Sequence, residues 1–169
     1  PGGNDDDSGE TKFSRIGSFY ASSTSPVVFL SAAEVQFLTA EISFRKGDFT
    51  TSETAFNQAI KNDFSALGVS GVDAYLATTA VKYNKSLDRI MEQKWITMYQ
   101  APYESWVDWR RTNIPKLAKP EVDFNGGVTP RRLPYPQLEL NLNRKSIEAG
   151  PGLLSSAETM KSRVWWDKE

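Results

Sequence analysis

Residues 30–67, LSAAEVQFLTAEISFRKGDFTTSETAFNQAIKNDFSAL, decide the fold. The stretch reads as two amphipathic helices joined by a tight turn at Lys46, Gly47 and Asp48. Ser31 stands where an N-cap belongs and Glu34 follows three residues on, so the two side chains can satisfy free backbone donors reciprocally as a capping box. Leu30 and Val35 occupy the staple positions around that cap. Ala33, Phe37, Ala40 and Phe44 recur at helical spacing as one apolar face, which Val35, Leu38 and Ile42 widen. Arg45 and Lys46 suit the negative end of the helix dipole, and Gly47 suits a left-handed C-cap. The second helix restarts at Thr50, with Glu53 completing a second capping box. Its face is Phe56, Ala59, Ile60, Phe64 and Leu67, and Gly68 stops it. So short a turn permits only an antiparallel pair.

The pair follows the pattern of a tetratricopeptide repeat. Ala40 is the small residue at the helix contact, and Phe49, Ser52, Phe56 and Ala59 fill the repeat's other positions, Ser52 standing for the common alanine. A generic helical hairpin would need small residues at the same crossing. Either way the hairpin cannot bury its own face, and the rest of the chain has to cover it.

At 169 residues the chain suits one domain with a core of its own. Twenty basic and 21 acidic residues leave a net charge of −1 without a basic stripe, which argues against nucleic acid as a partner. No apolar run is long enough to span a membrane. Cysteine and histidine are both absent, so disulfides, zinc fingers, thiolate nucleophiles and imidazole bases are excluded. Five Trp, six Tyr and nine Phe make the chain rich in aromatics, which favours binding over turnover.

The opening PGGNDDDSGE reads as an internal loop, and Asp5, Asp6 and Asp7 as a solvated acidic run; their spacing does not fit a calcium loop. Residues 13–30 read as an extended lead-in, with Pro26 excluding helix. Asp73 is a candidate cap for a short helix through Ala80. A stronger helix runs over residues 86–100, with Leu87, Ile90, Met91, Trp95, Met98 and Tyr99 at helical spacing and Lys94 the one polar intrusion. Asn84, Lys85 and Ser86 match a glycosylation sequon, a pattern common by chance. Pro102 either opens a new helix at its first turn or kinks the old one; Tyr103, Trp106, Val107 and Arg110 share its face, and Pro115 ends it. From there prolines and glycines arrive every few residues, a non-helical strap, with one helical turn expected at Pro136–Leu140. Val164, Trp165 and Trp166 close the chain as an aromatic plug.

The expected class is therefore all-α: tetratricopeptide-like helix pairs with long irregular, Pro-rich C-terminal segments. Residues 1–169 form a single domain in this reading, with an irregular lead-in at 1–30, a helical body at 31–112 and a strap and tail at 113–169.

Four pieces in this order, SAAEVQFLTAEISFRKGD, EQKWITMYQAPYESWVDWRRTNIPKL, TPRRLPYPQLELNLN and VWWDKE, resemble the C-terminal half of SusD/RagB-type outer-membrane lipoproteins of Bacteroidetes. The resemblance covers residues 13–169, with Tyr135-Pro136-x-x-Glu139 and the VWWD piece the most specific together. It implies an all-helical, non-enzymatic lid on a SusC-like TonB-dependent transporter at the extracellular face of the outer membrane. Such a lid captures an oligosaccharide or peptide for import. A full member is far longer and carries a signal peptide and a lipid-anchor cysteine, so the chain is expected to be part of a larger SusD-like protein, tied to the membrane only through that anchor. No cofactor or metal is expected.

For ligand contact the sequence offers Trp95, Tyr99, Tyr103, Trp106, Trp109 and Arg110. Sugar rings stack their C–H faces on flat aromatics, and an arginine pair such as Arg110 and Arg111 can clamp a carboxylate or hydroxyl. The competing reading makes the same residues structural. Trp95 and Trp106 fall on apolar faces and read first as core, Arg110 and Arg111 as partners of helix-end carbonyls, and Arg131 and Arg132 as pins of the strap. The binding candidates are Tyr99, Tyr103, Trp106, Trp109 and Arg110. A helical-repeat adaptor gripping a protein partner is the alternative. A glycosidase built on Glu104 and Asp108 is disfavoured, because two carboxylates one turn apart on one helix cannot flank a scissile bond.

Overall fold

The computed structural model describes residues 16–119, 122, 126–150 and 160–167. Among them the chain is all-α, without a strand. Asp5, Asp6 and Asp7 lie outside the described residues. The described residues fall into two compact units, one ending at Trp106 and the other beginning at Val107.

In the first unit, α1 (Ser18–Ala21) interrupts a lead-in that the sequence reading makes wholly extended. Pro26 does exclude helix, but only after that single turn. Next come α2 (Ala32–Arg45) and α3 (Phe49–Leu67), the antiparallel pair. Ser31 caps α2, its hydroxyl accepting from the Glu34 amide at 3.0 Å. At the far end the Asp48 amide reaches back to the Ser43 carbonyl and the Gly47 amide to the Phe44 carbonyl. That double closure needs a left-handed residue, and Gly47 supplies it at φ 79° without a Cβ penalty. The cap of α3 is Asp48 rather than Thr50: its carboxylate accepts from the Thr51 amide at 3.0 Å, which starts the helix two residues earlier than expected.

Phe37, Ala40, Phe56, Ala59 and Ile60 form the buried core, joined by Val81, Tyr83 and Ile90. The rings of Phe37 and Phe56 meet edge to face at 6.1 Å. Ser52 shows why the repeat pattern tolerates a hydroxyl. Fully buried at the crossing, it donates to the Ala40 carbonyl at 2.8 Å and accepts from the Tyr83 hydroxyl at 2.8 Å. Val35, Leu38 and Ile42 do not widen the buried face; all three are exposed. Leu30 is exposed as well, so it and Val35 form no buried staple.

Helix α4 (Val72–Ala77) begins after Gly71 rather than at an Asp73 cap. Ser86 caps α5 (Leu87–Thr97) through the Arg89 amide, and its hydroxyl also bonds Asn84, so the sequon residues serve as a helix entry. Met98–Gln100 tightens into a 3-10 turn. Pro102 opens α6 (Pro102–Thr112) at its first turn.

The second unit holds the end of α6, the strap, α7 (Gln137–Leu142) and α8 (Arg144–Ala149). The expected single turn after Pro136 is two short helices. Gln137 with Asn141 and Asn143 with Glu139 bond side chain to side chain there. No described helix is long and apolar enough to cross a membrane.

Candidate ligand-binding site

The lead-in, α1 and the turn after α5 gather an aromatic patch within the first unit. Phe19 and Tyr20 meet edge to face at 4.9 Å, and Tyr20 lies 5.4 Å from the Tyr99 ring. Tyr99 is 59% exposed and Phe29 94%. Two hollows adjoin the patch. The larger, about 580 Å³, is an open trough walled by Tyr20, Val28, Tyr99, Gln100 and Pro102. The smaller, about 110 Å³, lies deeper, against α2, α3 and α5, with Phe19, Tyr20, Phe29, Asp63 and Thr97 in its lining.

Asp63 and Glu34 are the acidic side chains of that deeper hollow. Asp63 accepts from the Thr97 hydroxyl at 3.1 Å. Burial raises its carboxyl above the ordinary carboxylate range, and the Thr97 bond offsets part of the rise. Tyr20 is raised too, first by burial, then by the negative charge of Asp63. Desolvation beside aromatic rings is one of the settings in which functional carboxylates are found.

Of the five residues singled out in the sequence, Tyr99 lies in the patch, Tyr103 is 74% exposed on α6 directly after Pro102, and Trp106 is half-buried. Trp109 and Arg110 are buried in the second unit. Arg131 lies over the Trp109 ring at 4.8 Å and Arg110 over the Trp166 ring at 4.4 Å. Arg110 donates to the Arg131 carbonyl and Arg131 to the Arg110 carbonyl, each at 3.0 Å. Arg131 also pairs with the fully buried carboxylate of Asp167 at 2.6 Å, which Arg163 reaches at 3.0 Å. The strap is thus pinned to the tail as well as to α6. Of the expected plug Val164 and Trp166 are half-buried, and Trp165 is 81% exposed. Asp108, one of the two disfavoured glycosidase carboxylates, pairs with Arg111 at 2.7 Å.

Sequence reading passes over Phe19, Tyr20 and Asp63 as binding residues. Asp63 had a signal: it falls three residues after Ile60 and four before Leu67, inside the apolar stripe of α3. An acid on a buried stripe marks either a paired charge or a site.

The family model described as "Starch-binding associating with outer membrane" matches residues 1–136. The chain belongs to this SusD-like family. A SusD homologue from Bacteroides thetaiotaomicron is 28% identical, with a TM-score of 0.78 over 85% of this chain and 39% of its own. Another from Bacteroides uniformis is 28% identical with a TM-score of 0.73, covering 85% and 38%. A chitin-binding SusD homologue from Flavobacterium johnsoniae is also 28% identical, with a TM-score of 0.70 over 82% and 36%. The chain spans well under half the length of these SusD-like structures. No curated protein matches it.

Proposed function

We propose that the chain contributes a glycan-contacting surface to a non-enzymatic nutrient-binding protein. That protein would work at the extracellular face of the outer membrane, feeding a SusC-like TonB-dependent transporter. The observation that carries the reading is the trough of about 580 Å³ beside the rings of Tyr20 and Tyr99. An open, aromatic-walled channel offers flat faces to the C–H sides of sugar rings, and Gln100 and Ser25 offer hydrogen bonds to their hydroxyls. Membership of the SusD-like family and the chitin-binding relative support a glycan over other ligands. Tyr20, Tyr99 and, beyond Pro102, Tyr103 are the proposed stacking contacts, with Trp106 beside Tyr103 in sequence. Trp109 and Arg110 hold the strap in this reading. Binding without turnover fits a patch that presents rings and amides, with no opposed carboxylate pair across the trough among the described residues.

The test is titration of the chain with a panel of oligosaccharides, with Tyr99→Ala and Tyr20→Ala as variants. Loss of one stacking ring weakens binding about fivefold to tenfold. Unchanged affinity in both variants, or product release from any glycan, would overturn the reading. The exposed stripe Val35, Leu38 and Ile42 on α2 favours a second reading, a helical-repeat adaptor for a protein partner. Substituting that stripe with serine leaves glycan affinity intact in the first reading and is the change that matters in the second.

A further inference from the structure

The deeper hollow differs from the trough in charge as well as in size. Asp63 and Glu34 are the two acidic side chains of its lining, and Asp63 is held there by the Thr97 hydroxyl. Phe19, Tyr20 and Phe29 supply the aromatic wall. About 110 Å³ is room for three or four waters at ~30 Å³ each. That holds one polar substituent and the edge of a ring, not a run of sugars. Tyr20, Val28 and Gln100 line both hollows, so a sugar lying in the trough has the deeper one directly beside it.

Of the substituents a sugar can offer, a hydroxyl leaves the Asp63 carboxylate desolvated without a counter-charge. An acetamido group does the same and is bulkier. A primary ammonium supplies three donors and a full positive charge, and the surrounding rings favour a cation over their faces. We propose that the deeper hollow selects a free amino group on the bound oligosaccharide, with Asp63 as its counter-ion and the Phe19, Tyr20 and Phe29 rings as its walls. The ligand class is an amino sugar of the glucosamine type, unacetylated. This rests on the glycan reading above and adds a charge preference to it. The Thr97 hydroxyl holds the Asp63 carboxylate from one side and so positions it for the amine.

Isothermal titration of the full 169-residue chain with three β-1,4 tetramers, of glucosamine, of N-acetylglucosamine and of glucose, tests the preference. The glucosamine tetramer is expected to bind about tenfold more tightly than either neutral one, the scale of one ion pair plus one ring contact in a half-open site. In Asp63→Asn the three affinities converge to within about twofold. Glu53→Gln, which removes an exposed carboxylate of α3 outside the hollow, preserves the preference and so excludes a general charge effect. Equal binding of all three tetramers by the unsubstituted chain overturns the amine preference and leaves the glycan reading standing. Binding of a lysine-rich peptide but none of the tetramers, or of nothing at all, overturns both.

Discussion

In the α2–α3 pair the chain closes on itself through side chains too small to keep two backbones apart, whereas from α6 to Asp167 it closes through some of its largest. Ala40, Ser52 and Ala59 let the helices touch, and the one buried hydroxyl among them is satisfied on both sides. The C-terminal clasp alternates arginines with tryptophan rings around a single buried carboxylate. The first arrangement is stabilised by apolar area and dispersion. The second depends on charge compensation, where loss of one partner strands the rest. The two should therefore fail in different ways.

The largest effect is expected at the pair. Phe56→Ala deletes a fully buried ring that touches both Phe37 and Tyr83. It should destabilise the helical unit by about 3–5 kcal/mol, read as a shift of the urea midpoint by circular dichroism. A loss below about 1 kcal/mol would mean the site collapses around the gap, and the pair is then less tightly packed than its geometry indicates.

Next comes the clasp. Asp167→Ala leaves Arg131 and Arg163 without their shared carboxylate and should cost about 3 kcal/mol. Pairing it with Arg131→Met should recover most of that loss, because an apolar side chain over Trp109 needs no counter-charge. Tryptophan fluorescence during unfolding is the readout. If the double variant is no better than the single one, the ion pair is not what holds strap to tail.

Ser52→Ala returns the crossing to the alanine of the repeat pattern, yet it strands the buried Tyr83 hydroxyl. A cost of about 1–3 kcal/mol is expected, relieved by adding Tyr83→Phe. If the alanine variant is instead more stable, the hydroxyl is a packing compromise rather than a bond.

The same contrast explains what could be read from the sequence. Caps, turn and buried face of the pair lie within a window of a few turns, and periodicity with Ser31, Gly47 and Gly68 marks them directly. The motif pattern points to Thr50 over Asp48 because Glu53 completes a box with it; geometry favours the nearer carboxylate. Periodicity also cannot rank two apolar stripes on one helix, which is why Val35, Leu38 and Ile42 read as core and lie exposed. The clasp joins residues 21 and 36 positions apart, and no local rule links an arginine in a Pro-rich strap to an aspartate in the tail. The aromatic patch is half-legible: Tyr99 stands out on its helix, while Phe19 and Tyr20 are hidden in a segment without periodicity. Asp63 leaves a trace only as an acid on an apolar stripe.

Asp63 is also where the smallest and most diagnostic stability change is expected. Burial raises its carboxyl in the folded chain above the ordinary value of 3.8, so the folded state holds the proton more tightly than the unfolded one. Below 3.8 both states are protonated and the group imposes no penalty. As pH rises through the folded-state value, folding must keep a desolvated charge, and stability falls. At pH 7 the chain therefore carries a cost that an asparagine in its place would lack, while the amide oxygen of that asparagine would still accept from Thr97. Asp63→Asn should raise the melting temperature slightly at pH 7, and the gain should vanish as pH drops below 3.8. The hollow is open to solvent, which screens the charge and keeps the effect below that of the other three substitutions. A melting temperature that falls at pH 7 would show that the carboxylate stabilises the fold, and the contrast between a hollow kept charged for a ligand and a clasp kept charged for structure would dissolve.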